Sequence, residues 1–175
     1  GWIEIKNICD KSGIEFFATI FSDKHLELIH SIGVKTVKIA SSDINHIPLI
    51  VNAAKTGMCI QLDTGNATYD EIAYAITKVE EQGNNNIIIH HCPTGYPAKL
   101  DSVQLAEIPK LKKLFPYPIA FSDHTPGWHM NIAAVCMGAS MIEKTITQDK
   151  TTPSVEHMFS LEEEEAKTFI TEIRE

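Results

Sequence analysis

The sequence predicts an α/β fold built as part of a (β/α)8 barrel, and three observations predict it. Short apolar runs alternate with amphipathic stretches along the whole chain. The runs are rich in β-branched and aromatic residues with little alternation, the pattern of strands buried on both faces of a parallel sheet. Run after run also ends in polar residues: Thr19, Ser41–Asp43, Asp63 and Thr64, His91 and then Thr94, Ser122–His124, and Glu143–Thr145. Barrels gather their chemistry at the C-terminal ends of many strands, whereas an open doubly wound sheet concentrates it at one switch point. The open sheet also lacks its usual phosphate loops, because neither G-x-G-x-x-G nor a Walker A motif occurs.

An amphipathic segment, Ile3–Lys11, opens the chain. Six strands are expected at Ile14–Thr19, Thr36–Ala40, Met58–Leu62, Ile87–His91, Ile119–Ser122 and Ser140–Lys144. Between them, apolar residues recur at helical spacing over Asp23–Ile32, Ile47–Lys55, Tyr69–Gln82, Val103–Leu114 and Trp128–Met137. A last amphipathic stretch, Leu161–Arg174, closes the order. Thr68-x-x-Glu71 and Ser160-x-x-Glu163 have the form of capping boxes. Glycines follow four of the helical stretches, where a left-handed C-cap suits glycine best.

Composition bounds the function. Fifteen Lys and Arg against 23 Asp and Glu leave a net charge of −8, which argues against a general nucleic-acid binder. A phosphorylated substrate stays possible, because local cations can sit on an acidic body. With 43% apolar and 22% charged residues the chain reads as a globular domain with a sizeable core. No apolar run approaches the ~20 residues that span a bilayer, and Gly-Trp-Ile-Glu-Ile-Lys is no signal peptide. Cys9, Cys59, Cys92 and Cys136 form no Cys-x-x-Cys and read as reduced thiols of a cytoplasmic protein.

Several side chains carry possible chemistry. His124, in Ser122-Asp123-His124-Thr125 after a strand, suits metal binding, acid–base work or phosphate, or simply a hydrogen bond to backbone. In His90-His91-Cys92 only one imidazole can face each side of a strand, so one histidine is expected under a helix. Lys38 lies inside a buried run, where a lysine is costly unless paired or used. It can bind an anion or form a Schiff base, or sit at a frayed strand edge. Lys144 poses the same question, unless it merely pairs with adjacent Glu143. Asp43, Asp63 and Glu143 are carboxylates at three strand ends, with Asp63 the best placed to be a helix N-cap. Glu162–Glu165 reads as a solvated helix start.

Taken in order, Lys38-Ile39-Ala40-Ser41, Asp63-Thr64-Gly65, His91-Cys92 with Tyr96-Pro97, Ser122-Asp123-His124-Thr125 and Gly138–Lys144 resemble the catalytic barrel of the sialic acid synthase family. That family includes N-acetylneuraminate, legionaminate and pseudaminate synthases and spore-coat polysaccharide relatives. The resemblance, from about Gly13 to Arg174, implies a partial TIM (β/α)8 barrel, strands three to eight with their helices, over residues 1–175. It implies a carbon–carbon bond-forming transferase that joins phosphoenolpyruvate to an N-acylated amino sugar such as N-acetylmannosamine. The product is a nine-carbon 2-keto sugar acid for polysaccharide biosynthesis, with release of phosphate. Thr19, Lys38, Ser41 and Ser122 match positions that contact phosphoenolpyruvate, and Asp63 and Thr94 fall at two more, where the family has Ser and Asn. Tyr96 matches a position near both substrates, Asp43 a sugar-binding glutamate and Glu156 an aspartate. His124 matches a ligand of a divalent metal, Mn2+ or Mg2+, but Thr145 stands where the second metal histidine belongs. The expected whole protein is a homodimer with further N-terminal βα units and a C-terminal antifreeze-like domain, neither in this sequence. Two other readings compete: a Schiff-base aldolase using Lys38, and a non-catalytic sugar- or partner-binding relative.

Overall fold

The computed structural model describes all 175 residues, Gly1–Glu175. Its contacts divide into two compact units, Gly1–Ile88 and Ile89–Glu175. The first holds helix α1 (Trp2–Lys11), strand β1 (Ala18–Ile20), α2 (Asp23–Ser31), β2 (Thr36–Ile39), α3 (Ile47–Lys55), β3 (Cys59–Asp63) and α4 (Tyr69–Glu80). Its strands are parallel, with Ala18 opposite Val37 and Thr36 opposite Cys59. Parallel neighbours need a crossover, and α2 and α3 supply it. Ile20, Val37, Ile39, Leu49, Ile50, Ile60 and Leu62 are buried at this sheet and its helices. Each such side chain contributes about 1.5–3 kcal/mol.

The second unit takes up β4 (Ile87–His91), then α5 (Glu107–Leu114), β5 (Ile119–Asp123), α6 (His129–Cys136), β6 (Met141–Lys144) and α7 (Glu163–Glu172). Its strands are again parallel, with Ile89 opposite Ile119 and Ala120 opposite Met141. Ile89, Ile108, Leu111, Ile119, Phe121 and Phe159 are its large buried side chains. The α/β alternation expected from the sequence is therefore present in both units.

Boundaries moved where long-range pairing decides them. Residues 14–17 are not strand, because β1 pairs only from Ala18, opposite Val37 of β2. Val103 and Gln104 are not helix; a short 3-10 turn over Leu100–Ser102 precedes α5. The Thr68–Glu71 capping box is formed, but Ser160 caps nothing. Leu161 is instead held extended beside the end of β6, its N–H on the Thr145 carbonyl and its carbonyl taking the Thr147 N–H. The helix starts two residues later, and Glu162 with Glu165 makes the box. No disulfide links the four cysteines, and no helix is long and apolar enough to cross a membrane.

Candidate functional site

In the first unit the register of three strands assembles one polar cluster. Thr19 lies opposite Lys38, and Lys38 opposite Gln61. Side chains two apart on a strand share a face, so Asp63 joins Gln61 on the side of Lys38. The Lys38 ammonium meets Asp63 Oδ2 at 2.8 Å, with both side chains under a tenth exposed. Ser41 follows β2 in a 3-10 turn over Ser41–Asp43 and packs on Gly65. A Cβ on Gly65 would lie 2.5 Å from Ser41 Cβ, so only glycine lets this turn approach. Asp63 is thus a counter-ion rather than an N-cap; Thr68 caps the following helix. Asp43 is half-buried beside the cluster's turn and accepts a hydrogen bond from Ser42 Oγ at 3.4 Å.

In the second unit the β5–β6 register sets Ser122 opposite Glu143 and Asp123 opposite Lys144. Ser122 Oγ donates to Glu143 Oε1 (3.1 Å), and Glu143 Oε2 lies 3.6 Å from His90 Nδ1. One residue on, the side chains face the other way. Lys144 Nζ donates to Asp123 Oδ2 at 2.8 Å and also to the Thr125 carbonyl. Glu143 and Lys144 therefore do not pair with each other, because adjacent strand residues point to opposite faces. Burial pushes the Lys144 ammonium below its ordinary range, and Asp123 pushes it back up. Held this way, Lys144 is a structural cation rather than a free amine for Schiff-base attack. The two histidines of β4 divide as expected. His91 Nε2 lies 2.7 Å from the Val103 carbonyl and its ring stacks near Phe121, whereas His90 faces Glu143.

His124 follows Asp123. It is buried, and its ring stacks on Tyr96 at 4.3 Å between centroids, with Phe159 at 6.2 Å. The unit thus brings Ser122, His124 and Tyr96 into one neighbourhood. Thr94 and Glu156 are exposed on loops, and the Glu156 carbonyl accepts a hydrogen bond from Ser160 Oγ at 2.7 Å. The sequence reading gave no role to Asp123 or His90, yet Asp123 is among the most thoroughly bonded carboxylates of the chain. The signal was the cost of placing one ionisable residue inside a buried strand run and another directly at the end of the next.

The donor set does not make a metal centre. No group of three or more His, Cys, Asp and Glu side chains meets in a way that could hold an ion. Thr145 offers a hydroxyl where the resemblance expects an imidazole, and that buried oxygen has no hydrogen-bond partner. Both oxygens of Asp123 are already taken.

The NeuB family model matches residues 2–175. The N,N'-diacetyllegionaminic acid synthase of Campylobacter jejuni is 38% identical over 167 residues, covering 94% of this chain and 50% of that protein. The chain spans about half the length of the curated relatives it matches. Among solved structures, the N-acetylneuraminic acid synthetase of Leptospira borgpetersenii, in complex with citrate, superposes with a TM-score of 0.94 at 34% identity. That match covers 99% of this chain and 60% of the other. The DAHP synthase of Thermotoga maritima, at 17% identity and a TM-score of 0.88 over 98% of this chain and 53% of its own, shares the fold alone. Neighbours of this kind are barrel-like synthases, and this chain has the fold of part of such a barrel.

Proposed function

The chain belongs to the NeuB family, and from that premise we propose that it supplies catalytic residues for joining phosphoenolpyruvate to an N-acylated amino sugar. In this reaction C3 of phosphoenolpyruvate attacks the sugar aldehyde carbon, forming the new C–C bond, and the aldehyde oxygen takes a proton. Water adds to C2 and loses a proton. The C2 hydroxyl then passes its remaining proton to the phosphate as the C2–O bond to phosphate breaks, which leaves a 2-keto acid and inorganic phosphate.

The observation that carries this reading is the buried Lys38 ammonium, flanked across the register by Thr19 and followed by Ser41. A cation with hydroxyl donors, sheltered from water, suits the phosphate and carboxylate of such a substrate, since charge-assisted bonds strengthen in a low dielectric. Asp63 is the counter-ion of that ammonium, 2.8 Å away. In the second unit Ser122, which the resemblance also assigns to phosphoenolpyruvate, has its hydroxyl held by Glu143. The resemblance assigns Asp43, Tyr96, Thr94 and Glu156 to substrate contacts, and in the second unit the His124 imidazole stacks on Tyr96. The citrate bound by the Leptospira protein, an anion with three carboxylates, supports an anion-binding role.

The test is phosphate release from phosphoenolpyruvate by the purified protein, with a divalent cation in the buffer, before and after addition of N-acylhexosamines. Release that requires the sugar is the expected result, and K38A abolishes it. Turnover unchanged in K38A removes Lys38 from the reaction. Borohydride trapping of pyruvate on Lys38 would replace this reading by the Schiff-base one.

A further inference from the structure

Asp123 is 1% exposed and the Lys144 side chain 4%. Burying two charges costs several kcal/mol per ion, and an apolar pair of the same volume is often as stable. An ion pair in this place therefore calls for a role besides stability. Its geometry shows one. Asp123 Oδ1 accepts from Thr125 N and Thr125 Oγ1, each at 2.8 Å. Oδ2 accepts from Asn131 Nδ2 at 2.7 Å and Lys144 Nζ at 2.8 Å. One carboxylate thus ties the turn after β5 to α6 and to β6, and Lys144 ties it again through the Thr125 carbonyl.

His124 is the residue between the two pinned positions. Its carbonyl accepts the Ala98 N–H at 2.9 Å, which fastens the loop that carries Tyr96. We propose that Asp123 and Lys144 are positioning residues: the pair holds the His124 ring against Tyr96. With all four accepting directions of its carboxylate occupied, Asp123 neither moves a proton nor touches substrate. The effect on turnover rests on the synthase reading; the effect on the ring does not.

The experiment uses protein labelled in histidine and follows the His124 ring protons by NMR, assigned by their loss in H124Q. Stacking on Tyr96 shifts these signals upfield, and Y96L marks the unstacked position. Folded D123N and K144M are expected to move the signals most of the way to that position. T125V, which removes one hydroxyl and keeps the backbone bond, moves them part of the way. The D123N/K144M double variant, neutral again but without the clamp, stays displaced. Signals unmoved in folded D123N overturn the proposal; if D123N and K144M do not fold, unmoved signals in T125V and N131A overturn it. Where the wild type releases phosphate, D123N is expected to lower kcat about tenfold with KM for phosphoenolpyruvate within about twofold; a raised KM at unchanged kcat overturns it. A wild type without phosphate release defeats the synthase reading alone, and the ring shifts still decide the positioning role.

Discussion

Lys38 and Asp63 show what a single buried pair asks of its neighbours. Neither charge is tolerable alone at such depth, so K38M leaves an uncompensated carboxylate, and breaking a buried pair in this way costs about 3–5 kcal/mol. The K38M/D63L variant removes both charges and is expected to lose less than K38M by itself. Urea unfolding of the two variants checks it; a double variant weaker than K38M would mean that the pair is not the source of the cost. His91 gives a prediction in pH. Burial pushes its imidazole below the ordinary 6.5, against the smaller upward pull of the Val103 carbonyl. The unfolded chain therefore binds the proton more readily, and stability rises with pH in that window. His91 contributes stability above about 6.5, which is lost as pH falls through that value toward its lower folded one. Unfolding midpoints measured from pH 8 to 5 are expected to fall more steeply in the wild type than in H91Q; equal slopes would refute the assignment.

At the scale of elements, helix α4 begins with the one capping box that the sequence announced and the structure formed. Thr68 Oγ1 accepts from Glu71 N at 3.3 Å, and Glu71 Oε2 accepts from Thr68 N at 2.8 Å. T68A is expected to cost about 1 kcal/mol, read as a lower urea midpoint with unchanged slope. S160A should spare the last helix, since Ser160 Oγ donates to the Glu156 carbonyl instead of capping. These two sites mark where reading from sequence succeeds and where it stops. Local chemistry was legible: Ile47–Lys55 and Ile87–His91 have the expected bounds to the residue, and Lys38 was marked as a lysine needing a partner. What depended on register was not. Ser160 looked like a cap until Leu161 was seen beside β6, and Glu143 looked like the partner of Lys144 until the strands set Asp123 opposite Lys144. Sequence proximity cannot report a pairing made across 21 residues.

Across the molecule, apolar surface and net charge pull in opposite directions. Helix α1 buries none of its residues. Trp2, Ile3, Ile5 and Ile8 on it are exposed, with Ile14, Phe21 and Leu28 nearby in the first unit. Two adjoining clefts share Trp2 and Leu28, so this surface is continuous. It borders β1, which ends the strand order and has β2 as its neighbour. An apolar patch beside a strand edge favours association, while a net charge of −8 opposes it. Salt decides the balance. At about 0.15 M ionic strength charges are screened beyond ~8 Å, whereas burial of apolar surface is not weakened. This 175-residue chain is therefore expected to gain mass with concentration over about 1–100 µM in physiological salt, and to do so less at low salt. Light scattering on sized fractions reads the mass directly. The I3K/I8K variant should stay monomeric with unchanged helix content, because both side chains face water. A wild type that keeps the monomer mass at every concentration and salt would show that repulsion outweighs the patch.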